Sequence, residues 1–195
     1  MKILLIGGST TLGSKSENLL DYVEKKLINY GGDIKRYRPQ SFNASELVSY
    51  DFSSPDIISF QLSVKESDII FISTPVYQAS YSGALKLLLD LIPQNGLSNK
   101  VVIPLASGGS NAHLLMLDYA LKPVLSNLGA SHLLPSIFAT PQDFIKQSDE
   151  NIVLSESIKR RLDESISHLF QYFNNEAIIF NTFRAKPNEI VRKLA

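Results

Sequence analysis

The sequence predicts an α/β domain in which a five-stranded parallel sheet is covered by helices on both faces. Five short apolar runs alternate with segments of helical period, and parallel strands need such crossover connections. Runs such as residues 3–6 and 69–72 are apolar without polar alternation, which suits strands buried on both sides. The 195-residue length fits one domain with a core large enough to need neither metal nor disulfide.

Each element follows from its local pattern. Residues 3–6 are a buried first strand. Residues 17–30 place Leu19, Leu20, Val23, Leu27 and Tyr30 on one helical face, closed by Gly31-Gly32 as a C-cap. Residues 33–37 alternate as a short second strand. Residues 39–55 form the longest stretch without clear period, with Ser-, Asn- and Asp-rich turn chemistry around a single helical turn at 44–48. A loop of that length in a compact domain is usually functional or an interaction surface. A helix at 56–66 leads to the third strand at 68–73, and residues 83–91 form a helix that turns Leu85, Leu88, Leu89 and Ile92 inward. The fourth strand is 101–106, a helix follows at 112–128, the fifth strand is 133–139 and the last helix 154–173. The domain is expected to span 1–173, and 174–195 to be a weakly patterned tail, either a partner arm or partly disordered.

Composition excludes several classes. Lysine plus arginine equals aspartate plus glutamate, at 19 each, so no field draws the chain to nucleic acid or an acidic membrane surface. The absence of cysteine removes disulfides, thiolate-held clusters and a catalytic thiol. The apolar run near Met1 is too short for a signal-peptide core. No run approaches the roughly 18 apolar residues of a membrane span. A soluble, cytoplasmic protein without nucleic-acid or membrane partners is expected.

In open parallel sheets ligands bind beyond the carboxyl ends of the strands. The segments that begin there, GGSTTLGSKS from Gly7, TPVYQASYSG from Thr74 and ASGGSN from Ala106, are the three richest in small polar residues. Their coincidence points to one ligand site. The first opens a helix, and its hydroxyls and N–H groups suit a phosphate dianion; the plainer reading is a Ser/Thr turn that caps the helix. The dinucleotide fingerprint GxGxxG is absent, and the Walker A pattern is missed by one residue because Ser14 separates Gly13 from Lys15.

The order of a hydroxyl-rich loop, Pro and Tyr after the third strand, and a Gly-Gly loop after the fourth resembles the flavodoxin-like NAD(P)H-dependent FMN reductases. The similarity is carried by TPVYQASYSGALKLLLDLIP, PLASGGSNAHLLMLDYALKPVL and the serines of the first loop, and runs from Met1 to about Phe173. It is closest to the reductases of bacterial sulfonate utilisation, which supply reduced flavin to a monooxygenase. The resemblance implies a three-layer sandwich with strand order 2-1-3-4-5. It matches Ser9, Ser14 and Ser16 to the phosphate loop, and Pro75, Val76 and Tyr77 to the wall along the isoalloxazine. Ser82 and Gly83 match the start of the neighbouring helix, and Ser107, Gly108, Gly109 and Ser110 the loop facing the pyrimidine side. Many relatives carry an arginine where Thr11 stands, so phosphate charge is left to backbone, helix dipole and Lys15. FMN, loosely bound or a substrate, and NADPH or NADH are the implied cofactors, with NADPH favoured. A homodimer or homotetramer and a flavin-dependent monooxygenase are the implied partners.

Hydride transfer between nicotinamide and flavin is cofactor chemistry, so no catalytic side chain and no metal is expected. His113, His132 and His168 are scattered at no ligand spacing, and Asp90 and Asp118 suit helix salt bridges. Pro123 should kink the helix at 112–128, or cost about 3 kcal/mol, unless a bulge absorbs it. Tyr119 matches the additional tyrosine of the sulfonate-type reductases, which lies on a π-bulge at a subunit interface near the flavin. Its plainer reading is an interface or core tyrosine. Two alternatives stand beside the leading one: an FMN-retaining quinone or azo reductase of the same fold, and a flavodoxin-type carrier, which a neutral chain suits poorly.

Overall fold

A computed structural model of the chain describes residues 1–147 and 152–185, with side chains described as far as Gln171. The second strand of the sheet, β1 (Lys2–Gly7), lies between β2 (Asp33–Tyr37) at the edge and β3 (Ile69–Tyr77) at the centre. β3 pairs in turn with β5 (Val101–Ser107), and all these pairings are parallel. The fifth position is shared by β6 (His132–Leu133) and β7 (Ile137–Ala139), both parallel to β5. The expected 2-1-3-4-5 order is therefore present, with one extra short strand, β4 (Ser80–Tyr81), folded back antiparallel on β3.

Alternate residues of the strands feed two cores. Ile3, Leu5, Ile69, Phe71, Val101 and Ile103 pack on one face beneath α1 (Lys15–Asn29) and α6 (Glu156–Ala185). Leu4, Ile6, Ile70, Ile72 and Val102 pack on the other against α3 (Pro55–Glu66), α4 (Gly83–Asp90) and α5 (Lys122–Asn127). Burial of a Leu or Ile side chain contributes about 1.5–3 kcal/mol, so a sheet filled on both faces dominates the stabilisation.

Several elements differ from the sequence expectation, each for a local reason. α1 starts two residues earlier, because the Ser14 hydroxyl accepts from Glu17 N at 3.3 Å. Tyr30 lies outside the buried face, stacked at 4.6 Å on Phe170, since the helix ends before Gly31 at φ +71°. Residues 39–55 are not a free loop: α2 (Ala44–Ser49) is capped by Asn43, and Phe42 and Leu47 enter the core. The fifth strand breaks at 134–136, opposite Ile103 and Pro104. Pro104 has no N–H for the ladder and Pro135 none to give in return. A hairpin of β8 (Phe144–Lys146) and β9 (Ile152–Leu154) precedes α6, whose first turn is closed by Ser155, so Leu154 is strand rather than helix. α6 continues past Phe173 to Ala185, and residues 186–195 of the expected tail lie outside the described residues.

The expected helix at 112–128 is broken. A 3-10 turn at Asn111–His113 is followed by a π turn at Leu117–Leu121 and then by α5, with Pro123 in its first turn. In an α-helix the ring of Pro123 would press on the carbonyl four residues back, that of Tyr119. The wider π turn moves that carbonyl away, so the anticipated bulge is present where the proline requires it.

Candidate functional site

β1, β3 and β5 are neighbours, with Gly7 opposite Ser73 and Pro75 opposite Ser107, so the loops that leave them meet at one edge of the sheet. The first loop is a compact turn. Gly8 N–H donates to the Ser73 carbonyl at 2.7 Å, and the buried Ser9 hydroxyl accepts from Thr11 N–H at 3.1 Å. Gly13 adopts φ +67°, which needs a residue free of Cβ strain. Ser14 and Ser16 pair their hydroxyls at 3.1 Å, and the Ser16 carbonyl accepts from Ser73 Oγ at 2.8 Å. Among the described residues the N–H groups of Leu12, Gly13 and Ser14 donate to no protein acceptor. They stand beside the open N-terminus of α1, an arrangement that suits an anion.

The second segment extends β3 further than its apolar run suggests. Thr74, Pro75 and Val76 continue the strand, and Tyr77 ends it at 53% exposure. Gln78 and Ala79, at φ 47° and 60°, turn the chain back into β4. Ser82 ties the segment to the first loop. Its hydroxyl accepts from Leu85 N–H at 3.0 Å, capping α4, and donates to the Gly8 carbonyl. Its own N–H donates to Thr74 Oγ1 at 3.0 Å. Gly83 beside it is exposed, with open space where a Cβ would stand.

In the third loop Ser107 is buried, Gly108 N–H donates to the Ala139 carbonyl at 3.0 Å, and Gly109 and Ser110 are exposed. A Cβ on Gly108 would stand 2.5 Å from the Phe138 ring and 3.2 Å from Val76, so glycine is required for strand, loop and β7 to close together. Beyond it the π turn, which lies against β4, presents Tyr119 at 79% exposure. Together these loops form an anion-suited turn that leads to a glycine-lined rim with an aromatic margin.

Residues 1–144 match the family model described as NADPH-dependent FMN reductase. The chain belongs to that family. It is 39% identical to the FMN reductase (NADPH) of Escherichia coli (strain K12) over 171 residues, 88% of this chain and 89% of that protein. With the FMN reductase (NADPH) of Pseudomonas putida (strain KT2440) it shares 42% over 167 residues, 85% of each. Among solved structures, the apo form of the NADH:FMN oxidoreductase EMOB superposes with a TM-score of 0.76 at 30% identity, covering 86% of this chain and 87% of that one. The protein is an NAD(P)H:FMN oxidoreductase, with FMN and a reduced nicotinamide as its redox pair.

The reductase's loops fit FMN by their own chemistry: free N–H donors at a helix start for a phosphate, and small residues where a flat ring could approach backbone. No cluster of three His, Asp or Glu side chains able to hold a metal occurs among the described residues. Asp90 pairs with Lys86 within α4, and Asp118 of the π turn pairs with Lys122 at the start of α5. The histidines stay apart from one another: His113 in the 3-10 turn, His132 in β6 and His168 on α6.

Sequence reading missed the charge cluster behind the first loop. Arg36 on β2 reaches Glu17 at 2.7 Å, Asp21 at 2.6 Å and Glu24 at 2.7 Å. Burial pulls the Arg36 guanidinium down, but hydrogen bonds to Asp21, Glu24 and Glu17 outweigh it and hold it above its ordinary value. Ser14 and Glu17 stand in capping-box spacing. That was the one visible signal, and the Glu17 side chain turns to Arg36 instead. Gln40, within the 39–55 stretch, donates to the Thr10 carbonyl and braces the turn. Lys15 places its ammonium 5.6 Å from the centre of the Phe144 ring.

Proposed function

We propose that this reductase uses FMN as a dissociable substrate, oxidises NADPH in preference to NADH, and supplies reduced FMN to a flavin-dependent monooxygenase of the sulfonate type. The observation that carries the reading is the electrostatics of the first loop. Its Lys15 leans over Phe144 and Arg36 is held by three carboxylates, so the phosphate is left with backbone donors and the helix dipole. A grip of that kind favours exchange over retention.

In this reading the phosphate takes the N–H groups of residues 12–16 and the Ser14 hydroxyl, while Ser9 and Ser16 hold the turn from inside. Pro75, Val76 and Tyr77 line one edge of the ring. Ser107, Gly108, Gly109 and Ser110 face its pyrimidine side, and Ser82 and Gly83 close the corner between them. FMN, when bound, supplies the hydride-accepting ring; the chain orients it, stacks the nicotinamide against it and excludes water. Tyr119 on the π turn borders the site and favours release. The exposed Leu114, Leu115 and Tyr119 support assembly as a homodimer or homotetramer. Among the described residues no helix is long and apolar enough to cross a membrane, and we place the enzyme in the cytoplasm.

The test is NADPH oxidation as FMN is titrated into flavin-free protein, together with gel filtration of the FMN-loaded enzyme. Saturable dependence on added FMN and colourless protein after filtration are expected. Yellow protein whose rate ignores added FMN would overturn the reading in favour of an FMN-retaining quinone or azo reductase. A Tyr119→Ala variant should retain FMN more tightly than wild type, read by flavin fluorescence in a binding titration.

A further inference from the structure

We propose that Glu17 is a positioning residue that weakens the grip on the FMN phosphate, a role that rests on the reading of the first loop given above. Glu17 is the third residue of α1, and helical side chains tilt toward the helix N-terminus, here toward the phosphate turn. It is 2% exposed. One carboxylate oxygen accepts from Arg36; the other, Oε1, is buried without any hydrogen-bond partner. A Cβ on Gly7 would collide with that same oxygen, so the carboxylate lies directly against the backbone that leads into the loop.

The charges around it do not balance. Within the ion-pair cluster, Glu17, Asp21 and Glu24 bring three negative charges against Arg36 and an Arg38 whose Nη1 lies 3.9 Å from Glu17, which leaves the cluster one net negative charge behind the turn, while the Lys15 ammonium sits over the Phe144 ring. The helix N-terminus offers only about half a positive charge. A phosphate dianion at the turn therefore meets good donors in front and a like charge behind. The donors fix where the phosphate sits, and Glu17 limits how long it stays.

Riboflavin lacks the phosphate, so the ratio of riboflavin to FMN dissociation constants isolates this effect from any general change in the site. Both constants are measured by flavin fluorescence titration on the wild type and on Glu17→Gln. The substitution should tighten FMN roughly tenfold through the loss of like-charge repulsion and leave riboflavin within about twofold of wild type. A wild type that binds FMN no better than riboflavin would overturn the phosphate-loop reading and this inference together. A wild type that prefers FMN, with a Glu17→Gln ratio no larger, would overturn the inference alone. Asp21→Asn is the second variant should Glu17→Gln fail to fold, because Asp21 meets the same Arg36 from a side chain that is 44% exposed. It should raise the ratio by roughly twofold, a smaller step for a more solvated charge, and an unchanged ratio would overturn the inference.

Discussion

At the scale of single residues, several hydroxyls of the candidate site point inward, where Ser9, Ser16 and Ser82 are almost wholly buried. Ser82 caps α4 and binds the Gly8 carbonyl, so it joins two loops in one hydroxyl. Ser82→Ala should lower stability by about 1–2 kcal/mol, a cap plus a buried acceptor left unpaired, measurable by urea unfolding. Arg36→Met removes the partner of a carboxylate that is almost wholly buried and should cost about 3–5 kcal/mol, seen as a large fall in melting temperature. The meeting of the glycines and serines of the three loops at one sheet edge was legible in sequence, because it follows from parallel strands. Their orientation was not, since Ser9 and Ser16 face the interior. The Arg36–Glu17 pair lies 19 positions apart on two elements, and no local period links them.

Among the elements, the five strands and their main helices were legible from apolar runs and helical period, and the departures cluster where proline or turn chemistry decides. The bulge demanded by Pro123 could be read ahead of the structure; the break in the fifth strand could not, because it depends on Pro104 in the neighbouring strand. The β3–β4 hairpin was also hidden, since its turn residues are Gln78 and Ala79, at φ 47° and 60°, rather than the Asn-Gly pair such turns prefer. A left-handed residue other than glycine costs about 1–2 kcal/mol. Ala79→Gly, alone or with Gln78→Asn, should raise stability by about 1 kcal/mol, checked by thermal unfolding. A loss would mean that the turn relies on contacts those side chains make.

For the whole molecule, balanced charge removes long-range attraction to polyanions, so association depends on local apolar surface. Leu115, 57% exposed, and Tyr119 form such a surface beside the site. Leu115→Asp should shift the mass measured by light scattering toward the monomer, and an unchanged mass would exclude this face as the subunit contact. The outermost strands carry a further consequence. One border of the sheet is β2, with its charged Asp33, Lys35 and Arg36; the other is split between two short strands around Pro135. Neither offers a long, flat, unpaired ladder onto which another chain could zip. The interruption that began as an accommodation to Pro104 thus also makes that border a poor template for a second chain.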